Sequence, residues 1–364
     1  MVRSAFGGQA GAPAGYLMIE ELQIKNFRCF EEVSLSGLKR VNIVVGENAS
    51  GKTALLEGIF LAAADGPGIV LRYRGQRGTE EVTITLTRTA FEDLWRDLFF
   101  NFDQERTIFV SLQGSRHMTR SVVVAYSREE SLTLPLGQHP VEAVGIRPID
   151  FKYRTADGTV YTIRPEITEK GLTFGGLTPS LGGSYFAANI RPGRETAIRF
   201  SNLSKDGKEG VVIQAIQQKY PFIESLSVEA EGDQLVLHAK VQGVARKMPI
   251  GLVSGGVGKL ANILIGIMSN PRGVVLVDEI ENGLYYSKFT DIVATLYDFA
   301  REHETQLFLS THSMELLEAV LPFVENHEED FTLVRTEREN GKCAARLFKG
   351  QNFRAALEQR MEVR

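Results

Sequence analysis

The stretch GENASGKT, Gly46 to Thr53, concentrates residue types that bind phosphate. It fits G-x-x-x-x-G-K-[ST], in which successive backbone N–H groups and a helix start surround phosphate oxygens. Gly46, Glu47, Asn48, Ala49, Ser50 and Gly51 would form the cradle. Lys52 would reach the β- and γ-phosphates of a nucleotide, and the Thr53 hydroxyl would hold Mg²⁺. A second chemical motif is VVLVDEIENG, where four apolar residues deliver Asp278 to a strand end. Ligands bind at that end of the strands in open α/β sheets. Asp278 would support Mg²⁺ and Glu279 would orient or polarise the attacking water.

Two further stretches carry chemistry. FLSTHS places His312 just beyond another apolar strand, where an imidazole can contact a γ-phosphate or its water. LVSGGVGKLANIL puts Ser254, Gly255 and Gly256 before a helix, a second anion-binding helix start in the same chain. The first loop already serves the phosphates, so this one suggests a sandwich in which it meets nucleotide held by a partner subunit. Lys259 would then add charge in trans, in the manner of an arginine finger. The plainer alternative is a glycine turn capping a core helix.

The elements that must position these residues are legible in outline. VNIVVG is a short β-branched run suited to a buried strand. Leu55, Leu56, Ile59 and Phe60 mark one face of the helix after Gly51. MIEELQIKNFRCF alternates as a strand entering a turn, and SLSVEAEGDQLVLHAKV predicts a hairpin around Gly232 and Asp233. GVVIQAIQQK, GKLANILIGIMSN and MELLEAVLPFVE read as helices, while GVVLVDE, TQLFLSTHS, DFTLVRTE and AARLFK read as strands. FRAALEQRM predicts a last helix. From about residue 71 to 200 alternating segments such as EEVTITLTR, TIFVSLQ and SVVVAYS dominate, with one helix-like patch, AFEDLWRDLFFNF. KGLTFGGLTPSLGGSYF reads as loop.

Composition fits a soluble globular protein: of 364 residues, 43% are hydrophobic and 24% charged. A net charge of -4 excludes a globally basic nucleic-acid coat, though not a local groove. RYRGQRG (72–78) and QGSRHMTRS (113–121) are the two local basic loops. Cys29 and Cys343 are far apart and form no CxxC, so neither a zinc site nor a disulfide framework is expected. No apolar run is long enough to span a bilayer, and a reducing cytoplasm is the expected location.

In order, GENASGKT, LVSGGVGKL, VLVDEIENG and LSTHS resemble the ABC-type ATPase heads of the SMC and RecF group, and LQIKNFRCF resembles their first strand motif. DEIENGLYYSK and the terminal EVR look closest to stand-alone ATPases related to the OLD family. The resemblance implies an α/β P-loop NTPase fold of the ABC head type with a β-rich insertion at about 71–200. It runs over 18–364 as one ATPase domain, while residues 1–17, small and Gly/Ala-rich, read as a flexible tail. It implies ATP and Mg²⁺ as cofactors, Glu279 as catalytic carboxylate, His312 as switch histidine, and Ser254 and Gly256 as the signature closing on the other subunit's ATP. The signature departs from LSGGQ, ENGLYY lacks the usual D-loop aspartate, and Gln76 and Gln104 are guesses for a Q-loop glutamine. No Toprim nuclease follows in the pattern. The expectation is an ATP-driven dimerisation switch, a homodimer or higher homo-oligomer, controlling a separate effector such as a nuclease or toxin in DNA-related work or phage defence. DNA or RNA binding stays open, and no membrane contact is expected. An ATP-gated scaffold or sensor and a P-loop small-molecule kinase are the competing classes.

Overall fold

The computed structural model describes residues 18–76, 88–115, 118–128, 132–134, 141–168 and 171–349. The expected tail, the expected strand EEVTITLTR apart from Arg88, and the expected last helix lie outside them. The chain begins with β1 (Ile19–Phe27), β2 (Phe30–Ser36), β3 (Val41–Gly46), α1 (Lys52–Ala63), α2 (Gly68–Gln76) and α3 (Arg88–Arg96). There follow β4 (Ile108–Gly114), β5 (Thr119–Tyr126), β6 (Leu132–Leu134), β7 (Val141–Ile146), β8 (Ile149–Arg154), β9 (Val160–Ile163), β10 (Pro165–Thr168) and β11 (Gly171–Phe174). Next are β12 (Gly183–Phe186), α4 (Arg194–Lys205), α5 (Glu209–Lys219), β13 (Ile223–Glu231), β14 (Gln234–Val241), β15 (Met248–Pro249), α6 (Ile250–Val253) and α7 (Gly255–Ser269). The described chain ends through β16 (Val274–Val277), α8 (Phe289–Glu302), β17 (Gln306–Ser310), α9 (Met314–Asn326), β18 (Phe331–Glu339) and β19 (Lys342–Lys349).

These elements form two compact units. The first takes the described residues up to Leu38, Asn48–Leu181 and Arg335–Leu347; the second takes Lys39–Glu47, Gly182–Val334 and the described residues from Phe348. Strands β4 and β5 complete a six-stranded antiparallel sheet with the N-terminal hairpin, in the order β2-β1-β4-β5-β8-β9. The supposed loop before Phe186 contains β12, which pairs in parallel with β16 and so belongs to the second unit.

In the first unit period-2 alternation holds only in the middle of the hairpin strands, where Leu22 and Ile24 of β1 and Val33 and Leu35 of β2 are buried. Ile19, Phe27 and Phe30 are buried out of that phase at the strand ends, and the pairing of β1 with β4 shifts register between Ile19 and Glu21. Trp95 of α3 packs edge-on against Phe91 and Phe151. Helix α1 buries every residue but Thr53, not one face only. Its Glu57 is fully buried and pairs with Arg28 at 2.6 Å, while Arg120 Nε, from β5, donates to the Ala62 carbonyl at the helix's C-terminal end at 2.6 Å.

In the second unit β12, β16, β17 and β3 run parallel in that order, with β18 next to β3. All six residues of β3 are buried, as are all of β16 and β17. Such fully buried, mostly apolar runs are what a parallel sheet requires, since both faces are covered; the polar exceptions are Asn42, Gln306 and Ser310. Helix α7, with thirteen buried residues among fifteen, supplies a large share of that cover through Leu260, Ile263, Leu264 and Ile267.

Candidate nucleotide site

The acidic turn of the second unit is built at the carboxyl ends of its parallel strands. Asp278 follows β16, and its N–H donates to the Phe186 carbonyl at 2.8 Å. Its carboxylate is 5% exposed and accepts a hydrogen bond from the Ser310 hydroxyl at the end of β17. The same hydroxyl accepts the Glu279 N–H at 2.8 Å, and the Ser310 carbonyl accepts the Ile280 N–H at 3.0 Å. Glu279 adopts a left-handed φ of 46°, rare for a residue with a side chain. Its carbonyl accepts the Asn282 N–H at 3.0 Å, and its carboxylate accepts the Asn282 side-chain amide at 2.6 Å.

His312 stands on the neighbouring strand end. Its N–H donates to Glu281 Oε1 at 2.9 Å and its ring Nδ1 lies 2.9 Å from the same oxygen. A proton on Nδ1 shared with that carboxylate leaves Nε2 as the acceptor atom. The Thr311 N–H donates to the Val44 carbonyl at 2.9 Å, tying the histidine turn to the strand that enters the phosphate loop. Ser310, Glu281 and Asn282 were not singled out from sequence. The signal was present in the acid two places beyond Glu279 and the serine two before His312.

Ser254 is extended (φ -168°) and N-caps α7, its Oγ accepting the Gly256 N–H at 3.2 Å. Gly255 is exposed and Gly256 buried. A Cβ on Gly256 would lie 2.8 Å from the Gly283 carbonyl oxygen and 3.1 Å from Tyr220 Oη, so glycine is required for this approach to the turn after Glu279. Lys259 does not fit the expected role in trans. It is 4% exposed, and its Nζ donates to the Glu279 carbonyl at 2.6 Å and to the Ala188 carbonyl at 3.4 Å within its own chain. Five residues past the cap, helical geometry turns its side chain inward. Burial pushes its ammonium down to about 8, against the pull of Glu281, Glu279 and Asp278.

The phosphate loop leaves β3 through Gly46, whose φ is 150°. Glu47, Asn48 and Ala49 are exposed, and Ala49 and Gly51 have φ of 62° and 105°. Ser50 is buried and its hydroxyl bonds that of Thr336 at 2.6 Å, so its side chain braces the loop. Helix α1 starts with no side-chain cap and no acid in its first turn, an arrangement favourable to an incoming anion. Lys52 is buried and Thr53 half-buried at that start. Cys29 and Cys343, distant in sequence, meet behind Gly51: the Cys343 N–H donates to the Cys29 carbonyl at 3.1 Å. Gln104 and Gln76 both fall in the first unit.

Comparison with known proteins bears on both halves. A family model described as "AAA domain, putative AbiEii toxin, Type IV TA system" matches residues 167–318, and another described as "AAA domain" matches residues 21–136. An "ATP/GTP phosphatase" of Helicobacter pylori is 20% identical over 378 residues, covering 94% of this chain and 98% of that protein. The DNA replication and repair protein RecF of Bacillus cytotoxicus is 47% identical over 47 residues, 13% of each chain. The chain is an ATPase similar to those of the SMC and RecF group. Solved structures similar to this ATPase include the Smc head domain with an extended coiled coil bound to the C-terminal domain of ScpA, from Pyrococcus furiosus. That likeness has a TM-score of 0.47 at 11% identity, over 95% of this chain and 100% of that one. The SMC head domain from Thermotoga maritima gives 0.41 at 14% identity, over 90% and 98%.

The residues of this ATPase fit Mg²⁺·ATP. Among the described residues no group of three or more His, Cys, Asp or Glu could hold a metal. Asp278, buried in the second unit, and Thr53, at a helix start in the first, each offer an oxygen of the kind that Mg²⁺ takes beside phosphate and water. Among the described residues no helix is long and apolar enough to cross a membrane.

Proposed function

We propose that this ATPase is a dimerisation switch: two chains close on two ATP molecules and part on hydrolysis, and a separate effector protein responds to the closed state. The observation that carries the reading is the second helix start. Ser254 caps α7 beside an exposed Gly255 and against Gly283, next to the acidic turn. Its backbone donors suit the γ-phosphate of ATP held by another copy.

In this reading the backbone of Gly46–Gly51 and Lys52 hold the phosphates, and Thr53 and Asp278 hold Mg²⁺. When bound, Mg²⁺ neutralises charge that develops on the transferred phosphoryl group. Glu279, fixed by Asn282, accepts a proton from the attacking water. His312, oriented by Glu281, contacts the γ-phosphate through Nε2. Ser254 and Gly256 complete the site from the partner copy.

The effector is a nuclease or toxin, and the setting is DNA-related work or phage defence in the cytoplasm. Support comes from the OLD-like pattern, from the family description naming a toxin of a type IV TA system, and from the RecF match. DNA or RNA would bind through the basic segments at 72–78 and 113–121, read as loops from sequence; their described parts are the end of α2 and the facing ends of β4 and β5, and the rest lies outside the described residues. The affinity would then fall steeply with salt.

The deciding experiment compares wild type with Glu279→Gln by light scattering and phosphate release, with and without Mg·ATP. A variant that binds ATP, stops hydrolysing and accumulates as a larger assembly is expected. Continued hydrolysis with no ATP-dependent assembly would overturn the switch. Ser254→Ala separates a small-molecule kinase, which would hardly notice, from a sandwich, which loses hydrolysis. An ATP-gated scaffold would assemble with ATP yet turn over no faster than Glu279→Gln.

A further inference from the structure

We propose that Lys259 is a positioning residue acting in cis: its ammonium holds the main-chain carbonyl of Glu279 and thereby ties the signature helix of a chain to that chain's own water-polarising acid. The inference rests on the reading of Glu279 as the catalytic carboxylate.

Three observations carry it. The first is the contact itself, 2.6 Å from Lys259 Nζ to the Glu279 carbonyl oxygen, with Ala188's carbonyl at 3.4 Å. The hydrogen-bond partners of this lysine are main-chain oxygens. The second is burial: at 4% exposure an ammonium loses most of its hydration, and a side chain needed only for packing would be apolar. Burial pushes the group down, while Glu281, Glu279 and Asp278 favour its charge, so it is held in a pocket of acids.

The third observation is the backbone it restrains. A residue with a side chain at a φ of 46° carries about 1–3 kcal/mol of strain and persists only where its surroundings impose it. Four restraints surround Glu279: Ser310 on its N–H, Asn282's N–H and Lys259's ammonium on its carbonyl, and Asn282's amide on its carboxylate. Of the three restraints on the Glu279 backbone the ammonium is the charged one, and charge-assisted hydrogen bonds are about twice as strong as neutral ones. Without it the Glu279 peptide relaxes toward the right-handed region, and the carboxylate turns with it.

Lys259 lies on α7, whose N-terminal turn holds Ser254 and approaches Gly283. A shift of that helix start therefore reaches Glu279 through two connections, the Gly256–Gly283 approach and the lysine.

The test uses the full chain as wild type, Lys259→Met, Lys259→Arg, Glu279→Gln and the double variant Glu279→Gln/Lys259→Met. Affinity for a fluorescent ATP analogue, steady-state kcat and KM, and thermal midpoint are measured for each. Lys259→Met is expected to lower kcat about tenfold or more, with ATP affinity within about twofold, the signature of an interaction needed only in the transition state. Lys259→Arg recovers most of kcat, because guanidinium also donates to carbonyls, and the double variant is no slower than Glu279→Gln. A wild-type kcat for Lys259→Met beside an inactive Glu279→Gln overturns the positioning role and leaves the reading of Glu279 intact. Wild-type hydrolysis by Glu279→Gln instead removes the reading on which it rests. Loss of fold or of ATP binding in both lysine variants assigns Lys259 to structure alone and also overturns the proposal.

Discussion

Replacing Gly51 by alanine isolates the packing behind the phosphate loop. A Cβ there would lie 2.7 Å from Phe30 Cζ, 3.0 Å from Cys29 Sγ and 3.3 Å from Cys343 Cβ. Phe30 is fully buried and cannot move into solvent. The φ of 105° adds about 1–3 kcal/mol of backbone strain. Overpacking adds about 1–3 kcal/mol. The smaller entropy of an unfolded alanine offsets about 0.4–1 kcal/mol of this. The expected loss is therefore on the order of 3 kcal/mol. Gly341 provides the control in the same unit: its φ is 80° and a Cβ there meets nothing within 4 Å. Gly341→Ala should cost about 1 kcal/mol, from strain alone. The chain has one tryptophan, Trp95, fully buried in that unit, so fluorescence during urea titration reports its unfolding. With urea slopes of about 1–3 kcal/mol/M, the two variants should separate by about 1 M in midpoint at equal slope. Equal midpoints would refute the claim that Phe30, Cys29 and Cys343 close the space around Gly51.

Ser310→Ala removes the hydroxyl shared by Asp278 and the Glu279 N–H, so kcat should fall about tenfold or more while assembly state at rest is unchanged; unchanged kcat in phosphate-release assays would remove Ser310 from the site. Lys259 has a folded value of about 8 against an ordinary 10.5, so the unfolded chain binds the extra proton between those values. The burial penalty is full below pH 8 and is lost by pH 10.5, so metal-free wild type should gain stability across that window, by about 3 kcal/mol relative to Lys259→Met. Denaturation at several pH values checks the sign, and a falling difference would refute it. The Cys29 thiol is pushed up to about 12, first by burial and then by the Cys343 thiol. Its alkylation by iodoacetamide at neutral to mildly alkaline pH should be about a hundredfold slower in the folded chain than in urea, because the thiolate is the nucleophile; equal rates by mass spectrometry would contradict the burial.

Local sequence determined the elements whose information is local. GENASGKT carries its own loop geometry, VNIVV and VVLV read as buried strands because they are short, mostly β-branched apolar runs, and Gly232 and Asp233 mark the hairpin turn observed between β13 and β14. These motifs and their order were sufficient to indicate a P-loop NTPase of the ABC type. Tertiary structure decided what depends on distant partners. GSYF is too short and too close to glycines to read as a strand, and it becomes β12 only by pairing with Val274–Val277. Helices α4 and α8 were not read at all, since Arg194–Lys205 is mixed in polarity and Phe289–Glu302 follows directly on a motif that dominates the text. The division at Leu181, the meeting of Cys29 with Cys343, and the grip of Glu281 on His312 each join residues that sequence separation hides. Lys259 is the clearest case. Its charge and its place after a glycine turn suggested a group reaching outward, but helix periodicity and the packing of α7 turn it inward, where burial makes a main-chain carbonyl its partner.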